Sequence, residues 1–226
     1  MKNRTRLRDL KIPPYTILEE VFNSISHGLG IVLGIVAQVL MPIFAIKHHN
    51  IYGIVSGSIY AATLIILYAM STIYHALGSK LLAKKVFRIL DHCTIFILIA
   101  GTYTPYTLVT LRQDNLAVGW SIFGIVWGIS ILGIILNAID MERYRRISLV
   151  LYLALGWCII FKILDLYRLL GVGFYLLLAG GLSYSIGAIL YVIGKKKKIK
   201  FAHTVFHLFV LIASILQMLS ILLYVM

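Results

Sequence analysis

The dominant pattern in this chain is a series of long apolar segments, separated from one another by short polar or charged stretches. Each segment is long enough to cross a bilayer as a helix, which takes about 20 mainly apolar residues. No strand-like alternation of apolar and polar positions persists. We therefore predict an all-α integral membrane protein, a bundle of seven transmembrane helices. The predicted spans are 21–46, 51–77, 87–110, 116–138, 147–164, 170–194 and 201–225.

The chain is predicted to be one structural unit, with a cytoplasmic N-terminal segment at 1–20 and the transmembrane domain at 21–226. No linker, low-complexity tract or internal repeat divides it. The first span is longer than the apolar core of a signal peptide, so cleavage is not expected. Hydrophobic residues make up 61% of the 226 residues and charged residues 13%, whereas a soluble domain is about 25% charged. This composition excludes a soluble enzyme, a disordered chain and a DNA-binding domain.

The positive charges are distributed unevenly between the two sides of the predicted membrane. The formal net charge is +13, and all 21 Lys and Arg residues except Lys47, Arg112, Lys162 and Arg168 fall in four segments on one side. Those segments are 1–20 and the second, fourth and sixth connections. The positive-inside rule then places the N-terminus in the cytoplasm and the C-terminus outside the cell membrane. Four short, separated basic segments without a readout motif do not predict nucleic-acid binding.

We interpret these basic segments as orientation signals that also contact anionic lipid head groups. Their members are Lys2, Arg4, Arg6, Arg8 and Lys11; Lys80, Lys84, Lys85 and Arg88; Arg143, Arg145 and Arg146; and Lys195, Lys196, Lys197, Lys198 and Lys200.

Histidines near the predicted cytoplasmic ends of the spans are the main candidates for chemistry, because ionisable residues inside a membrane are costly. His203 and His207 are four residues apart and so share one helical face, as pairs of zinc-binding histidines on helices do. His75, at the end of the second span, would complete a set of three. A catalytic zinc takes three protein ligands and keeps a fourth position for water.

Two further polar residues fit such a site. Asp91 lies at the same predicted depth and would accept a proton from the water. Ser71, one helical turn from His75, would bond the water or a substrate carbonyl oxygen. From spacing alone, however, a proton relay or a plain polar network explains the same cluster.

The first span carries Glu20, Asn23 and His27 on one helical face. One interpretation is a helix start at the interface, where acidic residues favour the N-terminal dipole. The other is a layer behind the ligands that closes the site from the cytoplasm. His92 is grouped with these residues rather than with the ligands. It follows Asp91 directly, and adjacent side chains on a helix point about 100° apart, so only one of the two is expected to face the site squarely.

Small residues and one proline predict features of helix packing. Gly53 and Gly57, and also Gly124 and Gly128, are spaced as in close helix–helix contacts. Pro105, near the end of the third span, is expected to kink that helix.

Five motifs occur in order along the chain. They are Glu20-x-x-Asn23-x-x-Ser26-His27-Gly28; Ser71-x-x-x-His75; Asp91-His92 followed by Ile99-Ala100-Gly101-Thr102-Tyr103-Thr104-Pro105; Gly180-Gly181-x-x-Tyr184-x-x-Gly187; and His203-x-x-x-His207. With these motifs the chain resembles the hemolysin III family, bacterial relatives of the progestin and adipoQ receptors. The resemblance runs from about Glu19 to Val225.

This resemblance implies a seven-helix bundle with a cytoplasmic amino terminus. It also implies a zinc ion, Zn²⁺, held by His75, His203 and His207, with Asp91 and Ser71 near the metal-bound water. Related receptors and alkaline ceramidases suggest hydrolysis of a lipid amide bond. Two positions depart from the family pattern: Gln217 stands where many bacterial relatives carry another His, and Phe206 where Trp is common.

Three functions follow from these observations. The first is a zinc-dependent intramembrane hydrolase whose substrate is a membrane lipid with an amide bond. The second is a sensor or regulator of membrane state, in which zinc is structural. The third is a pore-forming haemolysin, which the sequence disfavours because no span carries a polar stripe along its whole length.

Overall fold

Helices make up nearly all of the computed structural model, which describes residues 4–226. Residues 1–3 lie outside that range, and with them Lys2 of the predicted cytoplasmic segment. The helices are α1 (Ile17–Lys47), α2 (Ile51–Ala76), α3 (Leu82–Pro105), α4 (Leu116–Trp157), α5 (Ile163–Leu170), α6 (Val172–Lys197) and α7 (Ala202–Tyr224). A π-helical segment at Tyr106–Leu111 and one turn at Arg112–Asp114 continue α3, and short 3-10 helices occupy Leu7–Asp9 and Cys158–Lys162.

Six helical stretches are long and apolar enough to cross a membrane, which confirms the prediction of an all-α membrane protein. They are Ile17–Lys47, Ile51–Ala76, Leu82–Asp114, Leu116–Leu170, Val172–Lys197 and Ala202–Tyr224.

The first helix begins four residues before the predicted span. Thr16 and Glu19 form a capping box, in which the Thr16 hydroxyl accepts from the Glu19 N–H and the Glu19 carboxylate accepts from the Thr16 N–H. These reciprocal bonds satisfy backbone donors that a helix start leaves free. The helix therefore starts at Ile17, in a segment that apolar periodicity alone assigns to the cytoplasm.

The helix α4 is a hairpin of two arms, at 116–139 and 141–157. Asp140 between them has non-helical backbone angles (φ −159°, ψ 89°). Ser148 donates a hydrogen bond of 2.6 Å to Asn137 Oδ1. In a straight helix, residues 11 apart are separated by about 16 Å, so the chain must reverse at Asp140. The reversal falls between the fourth and fifth predicted spans.

The centre of the bundle is α3 with its π-helical continuation. Every residue from Ala100 to Leu111 is buried. Pro105 has no N–H to donate, and the backbone after it adopts the wider π pattern at the position where we expect a kink. By contrast, α1 exposes a row of large apolar residues, among them Leu18, Val32 and Val39, as a lipid-facing helix does.

The glycine predictions hold for one pair of helices and fail for another. A Cβ built on Gly57 lies 2.9 Å from Met41 Cβ, so α1 and α2 do pack closely there. A Cβ built on Gly124 or on Gly128 meets no atom of another helix within 4 Å among the described residues. The expectation of close packing is therefore wrong for these two glycines. Gly133 on the same arm lies against the Phe96 ring instead. The pattern alone does not indicate which face of this arm meets α3.

Two cations of the second connection do not fit the expectation that they lie among the lipid head groups. Lys84 is 1% exposed and Arg88 is 5% exposed. Arg88 pairs with Glu142 at 3.0 Å and donates to the Lys11 carbonyl. A buried cation must be paired to offset its lost hydration. Arg88 therefore connects α3 to α4 and to the N-terminal segment, and Lys84 connects α3 to the end of α2.

The contrast between two glycines on one arm gives a test of this packing. We expect Gly133→Ala to lower the free energy of unfolding by about 1–3 kcal/mol, because the added methyl group meets the Phe96 ring. In the matched control Gly128→Ala, the added methyl group meets no neighbour and alanine favours the helix more than glycine does. The free energy of unfolding of this control should therefore equal or exceed that of the wild type. Thermal unfolding in detergent would measure both. Equal destabilisation by the two changes would contradict the assigned faces.

Candidate metal centre

Three imidazole rings converge between the last turns of α2 and the first turns of α7. His75 comes from α2, and His203 and His207 come from α7. Their ligand atoms all lie within 4.8 Å of one another. His203 Nε2 is 3.3 Å from His75 Nε2 and 3.0 Å from His207 Nε2. His75 and His207 are buried and His203 is nearly so.

The opposite nitrogens of two rings are held by α1. His75 Nδ1 lies 2.6 Å from Glu20 Oε2, and His207 Nδ1 lies 3.2 Å from the Asn23 carbonyl oxygen. Carboxylate and carbonyl oxygens only accept hydrogen bonds, so each Nδ1 carries the proton that it donates. The Nε2 lone pairs of His75 and His207 are then directed toward the centre of the cluster. This is the tautomer in which histidine binds a metal through Nε2.

The donor set fits a tetrahedral cation. Two nitrogens at about 2.0–2.1 Å from a tetrahedral ion are about 3.3 Å apart, close to the two separations between the rings. If His203 Nε2 carries a proton, it can donate a hydrogen bond to the Nε2 of either His75 or His207 but not to both, so one of the two short contacts stays without a hydrogen bond. His203 Nδ1 is buried and has no hydrogen-bond partner among the described residues. The three nitrogens therefore suit a shared cation better than a chain of hydrogen bonds.

The polar face at the start of α1 lies against the three histidines, and its role as a layer behind metal ligands stays a prediction. Asn23 Nδ2 lies 3.5 Å from His75 Nδ1, and Asn23 Oδ1 accepts from Thr204 Oγ1 at 2.6 Å. His27 stacks on His207, with ring centroids 3.5 Å apart and an angle of 13°. Both His27 nitrogens are buried without a hydrogen-bond partner in the described chain.

Ser71, Asp91 and His92, the other predicted site residues, form no hydrogen bond with the three converging histidines in the described structure. Ser71 lies one turn before His75, fully buried, and its hydroxyl has no partner within residues 4–226. The Asp91 carboxylate is 3.7 Å from His92 Nδ1, and His92 Nδ1 is 3.0 Å from the Arg88 carbonyl oxygen. No hydrogen bond or ion pair joins Asp91 or His92 to the three histidines in the described part of the chain. The catalytic assignments of Asp91 and Ser71 stay predictions.

Sequence reasoning missed several contacts of this site. Tyr15 stacks on His203, with centroids 5.2 Å apart and an angle of 12°, and burial raises the pKa of the Tyr15 hydroxyl above its ordinary value. Ser26 Oγ lies 3.3 Å from His207 Nδ1. Lys84 pairs with Glu20 at 2.8 Å. The position of Ser26 inside the first motif is a sequence signal that could have identified it. No periodicity in the sequence indicates that Tyr15 contacts α7 or that Lys84 contacts α1.

Comparison with known proteins shows the family of the chain. A family model described as "Haemolysin-III related" matches residues 15–218. The chain belongs to the haemolysin-III related family. It is 40% identical over 211 residues to "Hemolysin-3" of Bacillus cereus, covering 93% of each chain. It is 38% identical over 211 residues to "Hemolysin-3 homolog" of Bacillus subtilis, covering 93% of this chain and 96% of the relative.

A more distant relative is similar over most of the chain. "Monocyte to macrophage differentiation factor" of Homo sapiens is 27% identical over 207 residues, which is 88% of this chain and 81% of the human protein. Membership of the haemolysin-III related family and the six apolar helical stretches indicate a multi-pass membrane protein. Of the two departures from the family pattern, Phe206 packs beside His203 with centroids 5.9 Å apart, and Gln217 is buried elsewhere on α7.

The cluster predicts that the purified protein holds a divalent metal. We expect about one zinc ion per chain when the protein is purified without a metal-affinity tag, because three histidines and an open position suit zinc. His75→Ala, His203→Ala and His207→Ala should each lose it. Mass spectrometry would quantify the metal. His49→Asn is the control, since His49 lies in the loop between α1 and α2 with φ +52°, which Asn tolerates. A well-folded wild type without metal would refute the assignment.

Proposed function

We propose that this haemolysin III-family protein is a zinc-dependent hydrolase that cleaves an amide bond of a lipid within the membrane. The observation that carries the proposal is the set of three converging Nε2 atoms, together with a buried hydroxyl one helical turn before His75, that of Ser71, which has no partner in the described structure. Three protein ligands leave a coordination position for chemistry. An unpaired buried hydroxyl costs free energy, so a partner supplied by a substrate is a natural reason for it.

Zinc at this site would supply Lewis-acid chemistry: it polarises a carbonyl group and lowers the pKa of water toward about 7. The chain's own residues would do the rest. The Ser71 hydroxyl would donate to the carbonyl oxygen of the amide as negative charge develops there. Asp91 would accept the proton of the attacking water and return it to the leaving amine. Catalytic hydrogen bonds often form only in the substrate complex, so Asp91 need not touch the histidines beforehand.

A structural role for the metal is the alternative, and one observation favours it. The ligands come from α2 and α7, and Glu20 and Asn23 connect both to α1. An ion at this point would therefore join three helices and would serve a sensor or regulator of membrane state. A closed sphere of four protein ligands, measured by X-ray absorption at the zinc edge, would support this alternative over hydrolysis.

We further propose that the chain crosses the cell membrane seven times, with the N-terminus and the metal centre on the cytoplasmic side. The hairpin at Asp140 supports two crossings within Leu116–Leu170 rather than one. The exposed cations Lys195–Lys198 support contact with anionic lipid head groups at that side. The C-terminus would then lie outside the cell.

Labelling of single cysteines tests this topology. In a protein lacking Cys93 and Cys158, we expect Gln113→Cys in intact cells to react with a membrane-impermeant maleimide. Arg146→Cys and Lys196→Cys should react only after the cells are opened, because seven crossings place them in the cytoplasm. All three positions are exposed. Labelling of residues 113 and 146 from the same side would contradict two crossings around Asp140.

Hydrolysis itself is tested with the zinc-loaded protein in detergent–lipid micelles. We expect release of fatty acid from at least one member of a panel of ceramides, N-acylethanolamines and N-acyl amino acids, measured by mass spectrometry. Asp91→Ala should lower kcat by about 10²–10⁴-fold and Ser71→Ala by about 10²–10³-fold, with zinc content unchanged. Inertness of the zinc-loaded wild type toward the whole panel would count against hydrolysis and leave the structural role.

A further inference from the structure

A lysine beside the metal centre is buried, although its position in a basic connection predicts an exposed side chain. Lys84 is 1% exposed. Its three ammonium protons have three acceptors: Glu20 Oε1 at 2.8 Å, the Leu77 carbonyl oxygen at 2.9 Å and the Tyr74 carbonyl oxygen at 3.0 Å. A buried charge is tolerated only when it is fully paired in this way.

Two of these acceptors belong to the backbone on either side of His75. Tyr74 and Leu77 lie at the C-terminal end of α2, where the last carbonyl groups have no partner within the helix and cations are favoured by the helix dipole. Lys84 thus fixes the backbone that carries a metal ligand. The Tyr74 ring, whose centroid is 4.9 Å from Nζ, covers the ammonium group.

The third acceptor is the carboxylate that orients the same ligand. Glu20 uses one oxygen for each neighbour: Oε1 pairs with Lys84 and Oε2 accepts from His75 Nδ1 at 2.6 Å. Removing the lysine would leave a carboxylate without its countercharge and free to rotate away from His75. Without that acceptor, nothing fixes the proton on Nδ1 and the lone pair on Nε2.

We propose that Lys84 is a positioning residue for the metal centre, which holds Glu20 and the end of α2 so that His75 presents Nε2 to the ion. This inference rests on the proposed function insofar as the three histidines bind a metal. Lys84 itself lies behind His75 and contacts the carboxylate rather than the converging nitrogens. Its contribution is therefore measured in metal affinity, independently of any hydrolysis.

The experiment is a double-mutant cycle on zinc affinity. Apo protein in detergent is titrated with Zn²⁺ in competition with a chromophoric chelator, for wild type, Lys84→Met, Glu20→Gln and the double variant. Partners that orient a metal-bound histidine typically contribute 10–100-fold to affinity, so we expect Lys84→Met and Glu20→Gln each to weaken binding by about 10-fold or more. The loss in the double variant should be larger than in Glu20→Gln but smaller than the product of the two single losses, because Lys84 acts partly through Glu20 and partly through the carbonyl groups of Tyr74 and Leu77.

The controls separate this role from a general effect on folding. Lys80→Met changes an exposed lysine of the same connection and should leave zinc affinity unchanged. If Lys84→Met fails to fold, the double variant, which buries no unpaired charge, carries the test: it should bind zinc more weakly than Glu20→Gln, because the end of α2 also loses Lys84. Wild-type affinity in Lys84→Met, or a double variant that matches Glu20→Gln, would overturn the proposal, as would losses that multiply fully in the double variant.

The outcomes also distinguish this proposal from the metal centre on which it rests. Loss of zinc in His203→Ala together with unchanged affinity in Lys84→Met would leave the metal centre intact and refute the role of Lys84. Absence of zinc binding in the folded wild type would refute both.

Discussion

Pairing of polar groups in an apolar bundle is the constraint on which the rest of this structure depends. A lipid environment offers no water to a buried donor or acceptor, so a polar group without a partner inside the protein is costly. The polar face at the start of α1 supplies these partners: Glu20 bonds His75 and Lys84, and Asn23 bonds His207. Because the partners come from α2, α3 and α7, this one face sets the relative positions of the helices at that end.

The location of the site follows from the same constraint. Ions and imidazoles are least costly near the membrane surface, where they can be reached from water, and the cluster sits at the end of the bundle that carries the basic segments. The body of the bundle is apolar by comparison, with α3 enclosed at its centre and the outer faces of α1 and α4 covered by aliphatic side chains. A lipid substrate would reach such a site through the membrane, whereas water would reach it from the adjacent surface.

The geometry favours a cation over a hydrogen-bonded relay, and that preference links the fold to the proposed chemistry. A proton relay needs alternating hydrogen-bond donors and acceptors. His75 and His207 already donate through Nδ1, so both present an acceptor, Nε2, to the centre of the cluster. Tyr15 and His27 then cover His203 and His207 with flat aromatic contacts, which limit the directions from which a fourth ligand can approach. Their stacking explains why segments with no ligand of their own lie against the cluster.

The sequence by itself determined the class of protein and the residues that share one helical face. Long apolar segments specify membrane helices locally, and the His203–His207 spacing places two rings on one face without any tertiary information. The face of Glu20, Asn23 and His27 was likewise visible from periodicity.

Only the tertiary structure decided which helices are neighbours and what each polar group contacts. It showed that Gly133 rather than Gly128 meets α3 and that Lys84 is buried. Within the described residues, Asp91 has no hydrogen bond or ion pair to the three converging histidines, although it lies at a suitable depth along its own helix. The physical reason is that periodicity fixes the direction of a side chain on its own helix, whereas its partner depends on how helices far apart in the chain are rotated and packed.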